Sequence, residues 1–203
     1  ALEHLRPATT YRYRARFDGG ARSRVAEGTF RTAPADLEPA PLRLDFGGDL
    51  NGQNVCRDAA EGMPITETVR ARDPDVFVGL GDSIYADNTC APVGLYGNAQ
   101  IPGSFGPAAD LPAFWAHWRY TRADTGLQRL LSGTDYVGVW DDHEVINDWW
   151  RGGANGHRPD RGAWAARLGG GLQAYREWMP VRETPGGEFH LFRGFRFGRL
   201  ADL

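Results

Sequence analysis

Three short apolar segments of the chain are each followed within a few residues by an aspartate. These aspartates are Asp49, Asp82 and Asp142. Short apolar segments between turn residues are typical of buried strands in a mostly parallel sheet, and such sheets bind ligands beyond the carboxyl ends of their strands. We therefore expect the three carboxylates on one rim, where their mutual repulsion favours a bound cation with oxygen ligands. The alternative is that they are ordinary loop residues, which is common for any one of them.

The elements that must position these aspartates belong to an α/β domain. Its strands are predicted within residues 42–46, 76–80 and 136–140, with a short helix around residues 65–69 between the first two. A strand–helix–strand unit of this kind implies parallel strands. Further along, we expect one helix at residues 111–131 and a hairpin of residues 189–192 with residues 195–197. Residues 161–178 are expected to be helical, either as one helix or, because of the glycines at 169–171, as two helices with a kink.

The first 36 residues have a different pattern. Tyr11 and Tyr13 lie in an alternating segment, residues 18–20 are a turn signal, and residues 22–32 can return as a partner strand. This segment resembles the late part of a fibronectin type III-like sandwich. Since an isolated hairpin is marginal in water, we expect a remnant of a larger domain; a hairpin packed on the following domain is the alternative.

The predicted domain organisation follows from these two patterns. Residues 1–36 form the β-sandwich remnant, and the proline-rich residues 37–41 form a linker. Residues 42–203 form the α/β domain, and the last residues resemble an interrupted strand. We therefore expect the chain to hold only the amino-terminal part of that domain.

Composition excludes some partners and leaves others open. The net charge of −3 is too small to indicate binding to nucleic acid or to a membrane surface. No apolar run approaches the ~20 residues that a transmembrane helix needs. The two cysteines, Cys56 and Cys90, follow the first and second acidic loops. They form either a disulfide or two unpaired thiols, and the sequence leaves both open.

Three strings around the aspartates together resemble the PhoD-like alkaline phosphatase/phosphodiesterase family of the calcineurin-like metallophosphoesterase superfamily. They are Gly-Gly-Asp-Leu-Asn-Gly-Gln at 47–53, Leu-Gly-Asp-Ser-Ile-Tyr-Ala-Asp at 80–87, and Trp-Asp-Asp-His-Glu-Val-Ile-Asn-Asp at 140–148. The resemblance implies a four-layer αββα sandwich and hydrolysis of phosphate monoesters or diesters. It also implies a secreted, periplasmic or cell-wall location.

The resemblance also implies roles for individual residues. Asp82 would bridge two ions and Tyr85 would ligate one of them through its phenolate, which suits Fe(III); a tyrosine packed under the loop is the alternative. Asp142 would be a further ligand. His143 would act as the acid or as a phosphate clamp, because imidazole titrates near neutrality; a capping aspartate with a structural histidine is the alternative. Asn147 either adds an oxygen ligand or caps a turn.

The expected metals are Fe(III) and Ca(II). Asp49 stands where some members of the family have a cysteine ligand, and this difference keeps Mn and Zn open. The expected ligands are therefore Asp49, Asp82, Tyr85, Asp142 and Asn147, and the expected catalytic residues are His143 and Asp82.

The expected mechanism is in-line attack on phosphorus by a hydroxide that two ions activate, without a covalent intermediate. The family's remaining ligands come from a later part of the chain. We therefore expect residues 1–203 alone to bind metal poorly and to turn over slowly or not at all. The competing hypothesis is a non-catalytic extracellular binding module in which the acidic loops hold a structural calcium ion.

Overall fold

The computed structural model describes residues 2–16, 25–181 and 191–203. These residues form an amino-terminal hairpin, a three-stranded parallel sheet, four α-helices and several short strand pairs. Within these ranges no helix is both long enough and apolar enough to cross a lipid bilayer.

The amino-terminal hairpin consists of β1 (Thr10–Arg16) and β2 (Val25–Arg31), which pair antiparallel. Tyr11 and Phe30 lie opposite each other in this pair, and their rings stack with centroids 5.6 Å apart. Aromatic cross-strand pairs of this kind stabilise a sheet that has only two strands. The predicted turn at residues 18–20 lies outside the described residues, and the fibronectin-like origin of the hairpin stays a prediction.

The central sheet has the predicted parallel arrangement. Its strands are β3 (Leu44–Gly47), β4 (Val76–Gly79) and β5 (Asp135–Gly138), in that order across the sheet. Each strand ends on a glycine, and the three glycines are aligned side by side. The loops that carry the three aspartates therefore leave the sheet at the same edge, as the sequence predicted.

Helix α1 (Pro64–Ala71) connects β3 to β4 and confirms the helix predicted there. Pro64 occupies the start of this helix, where the missing N–H costs no intrahelical bond. The buried hydroxyl of Thr66 donates to the carbonyl of Met63 and is therefore satisfied.

The single helix predicted at residues 111–131 is wrong, because two helices occupy this stretch. Helix α2 (Leu111–Arg122) ends at Ala123, and α3 (Thr125–Gly133) begins directly afterwards. Asp124 adopts an extended conformation between them, and its side chain accepts the backbone N–H of Leu127 at 2.8 Å. An aspartate that caps the second helix in this way separates the two.

Of the two forms left open for this segment, the structure has the single helix: α4 (Trp164–Trp178) runs unbroken through the three glycines at 169–171. A Cβ at Gly171 would lie 2.9 Å from Val145 Cγ2, and one at Gly170 would lie 3.2 Å from the backbone nitrogen of Leu111. The absence of side chains therefore allows close packing of α4, and this packing outweighs the low helix propensity of glycine.

Short elements complete the described chain. Strands β6 (Trp149–Trp150) and β7 (Gly153–Ala154) form a small hairpin after the third acidic loop. Strand β8 (Arg196–Phe197) pairs with β9 (Ala201–Asp202). The predicted hairpin of residues 189–192 with residues 195–197 lies partly outside the described residues, because residues 189 and 190 are not among them.

The hydrophobic core lies between α2, α4 and the loops that follow β4 and β5. Trp118 of α2 and Tyr175 of α4 are fully buried, with an edge-to-face contact at 6.0 Å between ring centroids. Ile84, from the second acidic loop, and Val145, from the third, belong to the same cluster. Because both loops insert an aliphatic side chain into this core, the polar residues beside those side chains are held in place.

The question that the sequence left open about the two cysteines is answered by a disulfide. Cys56 and Cys90 are bonded, with Cα atoms 5.9 Å apart. The bond joins the loop after β3 to the long loop after β4, so it cross-links two of the three acidic loops.

Candidate metal centre

The backbone at the strand ends brings the first two acidic loops together. Asp49 and Asp82 both have left-handed backbones, with φ of 54° and 51°. Aspartate tolerates this conformation better than most residues with a side chain. The carbonyl of Asp82 accepts the backbone N–H of Leu50 at 3.2 Å, so the two loops are hydrogen-bonded directly at these positions.

Gly81 allows the second and third loops to approach each other closely. Its φ is +102°, and a Cβ there would collide with the backbone nitrogen of Asp141. A residue without a side chain is therefore needed at this position, because the backbone of the third loop lies where a Cβ would be.

Asp82, Asp142 and His143 form the group best suited to hold a metal ion. One ligand atom from each lies within 4.8 Å of the others. The backbone N–H of His143 also donates to Asp82 Oδ1 at 3.3 Å. Burial raises the pKa of Asp82 to about 6, and the nearby carboxylate of Asp142 acts in the same direction. A cation would relieve this unfavourable burial of negative charge.

Asp87 orients the imidazole of His143. Its Oδ1 lies 2.7 Å from His143 Nδ1, and its Oδ2 accepts the backbone N–H of Asn147 at 3.1 Å. Burial disfavours both charged groups, but their mutual hydrogen bond prevails, so the pKa of Asp87 is lowered and that of His143 is raised. Since Nδ1 is engaged, Nε2 is the nitrogen left for an ion or a substrate oxygen.

Tyr85 links the first aspartate to the group. Its hydroxyl donates to Asp49 Oδ1 at 2.7 Å, and its ring stacks on the imidazole of His143 at 4.0 Å between centroids. Burial raises the pKa of Tyr85, and the carboxylates of Asp49 and Asp82 raise it further. The phenol is therefore protonated without a bound ion, and it must release its proton to become a ligand.

Glu144 fixes the second and third acidic loops relative to each other. It is 1% exposed, and its two oxygens accept the backbone N–H groups of Ser83 at 2.6 Å and Asp141 at 3.0 Å. Burial raises the pKa of Glu144 to about 7. Its carboxyl group therefore connects the two loops that carry Asp82 and His143.

Asn147 and Asp148 border the group from the third loop. The amide of Asn147 donates to Asp148 Oδ2 at 2.7 Å. The backbone N–H of Asp148 in turn donates to Asp142 Oδ2. Asn147 therefore contacts residues that position the group, and its role as a ligand stays a prediction.

The structure thus places the predicted site residues in two connected sets. Asp82, Asp142 and His143 are clustered, while Asp49 and Tyr85 join them through the tyrosine hydroxyl and the stacked rings. Sequence reasoning assigned no role to Asp87 or Glu144. Both lie inside the strings quoted above, but Asp87 contacts His143 and Glu144 contacts Ser83 across more than 50 positions of the chain, so only the fold shows what they do.

Comparisons with known proteins identify the family to which the chain is similar. The family model described as PhoD-like phosphatase matches residues 50–203. The chain is 32% identical over 136 residues to alkaline phosphatase D of Bacillus subtilis (strain 168), covering 64% of this chain and 22% of that protein.

Solved structures give the same result at the level of the fold. A structure titled "Structure of PhoD" superposes with a TM-score of 0.75 at 25% identity, covering 98% of this chain and 37% of that one. The purple acid phosphatase PPD1 from yellow lupin (Lupinus luteus) seeds has a TM-score of 0.56 at 16% identity, covering 97% of this chain and 30% of that one. The chain thus spans between 22% and 37% of the length of these relatives, and the likeness to the purple acid phosphatase concerns the fold alone.

The matched region begins one residue after Asp49 and contains every other expected site residue. Because the family model covers most of the chain, and a solved PhoD structure superposes on nearly all of it, the chain belongs to the PhoD-like phosphatase family.

Proposed function

We propose that this chain supplies a metal-binding rim to an enzyme that hydrolyses phosphate monoesters or diesters with two bound metal ions. The observation that carries the proposal is the convergence of Asp82, Asp142 and His143 from two different loops to within 4.8 Å. Family membership supports phosphate-ester hydrolysis in general. The complete enzyme, on this proposal, has the four-layer αββα sandwich of metallophosphoesterases.

The donor set fits the proposed ions. Carboxylate oxygens from Asp49, Asp82 and Asp142 suit Ca(II), and the hydroxyl of Tyr85, once deprotonated, suits Fe(III). The absence of a thiolate at position 49 keeps Mn and Zn as alternatives. When bound, the ions would neutralise the phosphate and lower the pKa of an attacking water.

The protein residues supply orientation and a proton. Asp87 holds His143 through Nδ1, which leaves Nε2 to donate a proton to the oxygen of the departing alcohol. The ring of Tyr85 stacks on the imidazole and restricts its rotation. Glu144 holds the loop of Asp82 against that of His143, so the proton donor and the proposed bridging carboxylate keep a constant separation.

We also propose that the enzyme acts outside the cytoplasm, in a secreted, periplasmic or cell-wall setting. The Cys56–Cys90 disulfide supports this location, because disulfides persist in oxidising compartments. Since the chain spans 22% of the curated relative, we propose that residues 1–203 alone bind ions more weakly and turn over more slowly than a chain of full family length.

The experiment is metal-dependent hydrolysis of bis-p-nitrophenyl phosphate by the purified chain, compared among the wild type and the variants Asp82→Ala and His143→Ala. The exposed Asp36→Ala is the matched control. The expected result is a loss of at least tenfold in both site variants and no loss in the control.

Equal hydrolysis by all four proteins would contradict the assignment of the site. Metal binding without hydrolysis by a protein of full family length that contains these residues would instead favour the binding module with structural calcium.

A further inference from the structure

A cavity of about 300 Å³ adjoins the metal centre, and Asp87 and Asn147 form part of its wall. Three arginines, Arg158, Arg161 and Arg167, line the remainder together with neutral residues. We refer to the space bounded by these three arginines, Asp87 and Asn147 as the arginine cavity. It shares Asp87 with the metal centre, because the carboxylate that holds His143 also faces this cavity.

Arg167 is a buried arginine whose guanidinium is not fully hydrogen-bonded among the described residues. It lies in the first turns of α4 and is only 2% exposed, yet its Nε and Nη2 have no hydrogen-bond partner among the described residues. A buried donor without a partner costs about 1–3 kcal/mol, and more when it is charged. Because buried charged groups are normally paired, an anion in the cavity would complete the environment of Arg167.

The cavity wall carries more positive than negative charge. Asp87 is the one carboxylate among the described residues that line the cavity, and its two oxygens are already engaged by His143 and by the backbone of Asn147. Arg158 pairs with Asp160 at 3.3 Å, but both side chains are largely exposed, so this pair is weak. Arg161 is exposed and makes no ion pair within the described residues.

We propose that the arginine cavity binds a phosphate group of the substrate other than the one that is hydrolysed. The proposal rests on the proposed function and extends it to the substrate class, namely esters that carry a second phosphate. The planar guanidinium of arginine matches the oxygens of a phosphate in a two-bond arrangement. A volume of about 300 Å³ is at the lower end of small-molecule sites. It therefore has room for a phosphate with a few attached atoms.

The first arm of the test needs no turnover. Inorganic phosphate is titrated calorimetrically into the metal-free chain in EDTA, for the wild type and for Arg161→Ala, Arg167→Gln and Arg167→Lys. Arg119→Ala, an exposed arginine on α2 outside the cavity, is the control. We expect the Kd to rise at least tenfold in Arg161→Ala and Arg167→Gln, less in Arg167→Lys, and not at all in the control.

Circular dichroism checks that each variant is folded. If Arg167→Gln unfolds, the exposed Arg161→Ala still decides the matter, because this substitution removes charge without opening the core. Equal phosphate affinity in the wild type and Arg161→Ala, or no binding by the wild type, would overturn the proposal.

The second arm separates a substrate group from free phosphate. The metal-loaded protein is assayed with the p-nitrophenyl ester of thymidine 5′-phosphate, with and without a 3′-phosphate. The proposal predicts that Arg161→Ala lowers kcat/KM for the bisphosphorylated ester at least tenfold more than for the other. An equal effect on both esters would overturn the substrate assignment. A protein of full family length that binds phosphate in the first arm but hydrolyses neither ester would also overturn it, because that result contradicts the proposed phosphatase while the anion site remains.

Discussion

Removal of the disulfide between Cys56 and Cys90 should lower the stability of the fold by an amount that can be worked out from the length of the loop that the bond closes. The bond closes a loop of 34 residues that includes α1, β4 and Asp82. In the chain-entropy description, closing a loop of that length in the unfolded state stabilises the fold by about 4 kcal/mol. For a domain of about 200 residues each kcal/mol shifts Tm by about 2–4 °C, so removing the bond should lower Tm by about 8–16 °C.

The assay is thermal unfolding followed by circular dichroism for the wild type, Cys56→Ser, Cys90→Ser and the double variant, each with and without dithiothreitol. Either single substitution removes the same cross-link, so the double variant should lose about as much stability as each single one. Dithiothreitol should lower the Tm of the wild type and leave the double variant unchanged. A wild-type Tm that does not respond to reduction, or a double variant that loses the sum of the two single losses, would refute the reasoning.

Two further predictions concern buried groups near the site. Burial lowers the pKa of His117 to about 4, so the unfolded state, with a pKa near 6.5, binds more protons between these values. The contribution of His117 to the free energy of unfolding should therefore fall by about 3 kcal/mol as the pH falls from 6.5 to 4. His117→Gln can keep the hydrogen bond to the carbonyl of Gly106 and should lose this part of the pH dependence, as measured by urea titrations. Equal pH dependence of the unfolding free energy in the wild type and His117→Gln would contradict this role of His117. Gly81→Ala should cost about 3 kcal/mol, because a Cβ there meets the backbone of Asp141 at a positive φ. Gly97→Ala, also at positive φ but with open space around it, should cost about 1 kcal/mol, and equal losses in the two variants would contradict the steric explanation.

The part of the fold that could be predicted depends on local pattern. The apolar segments that lead to Asp49, Asp82 and Asp142 identified the three strands, and parallel pairing then placed their loops on one edge. The break between α2 and α3 also had a local signal, since Asp124 is a good cap for a new helix. Because the apolar spacing is helical on both sides of Asp124, the sequence pattern favours one continuous helix.

Other features depend on contacts between residues that are distant in the sequence, and local sequence patterns do not predict such contacts. The continuity of α4 follows from packing against Val145 and Leu111, which lie far away in the sequence. Asp87 acquires its role only when His143 approaches it across 56 positions of the chain. Arg167 is buried, and two of its donor atoms have no hydrogen-bond partner among the described residues. The sequence of α4 does not indicate this, because burial of a helical arginine depends on what packs over it.

The proposed function depends on a metal ion bound by Asp82 and Asp142 beside His143, and titration calorimetry of the metal-free chain with Mn²⁺ measures this binding. We expect saturable binding by the wild type, a Kd at least about 100-fold higher for Asp82→Asn, and no change for the exposed Asp36→Asn. Equal affinity in the wild type and Asp82→Asn would contradict it.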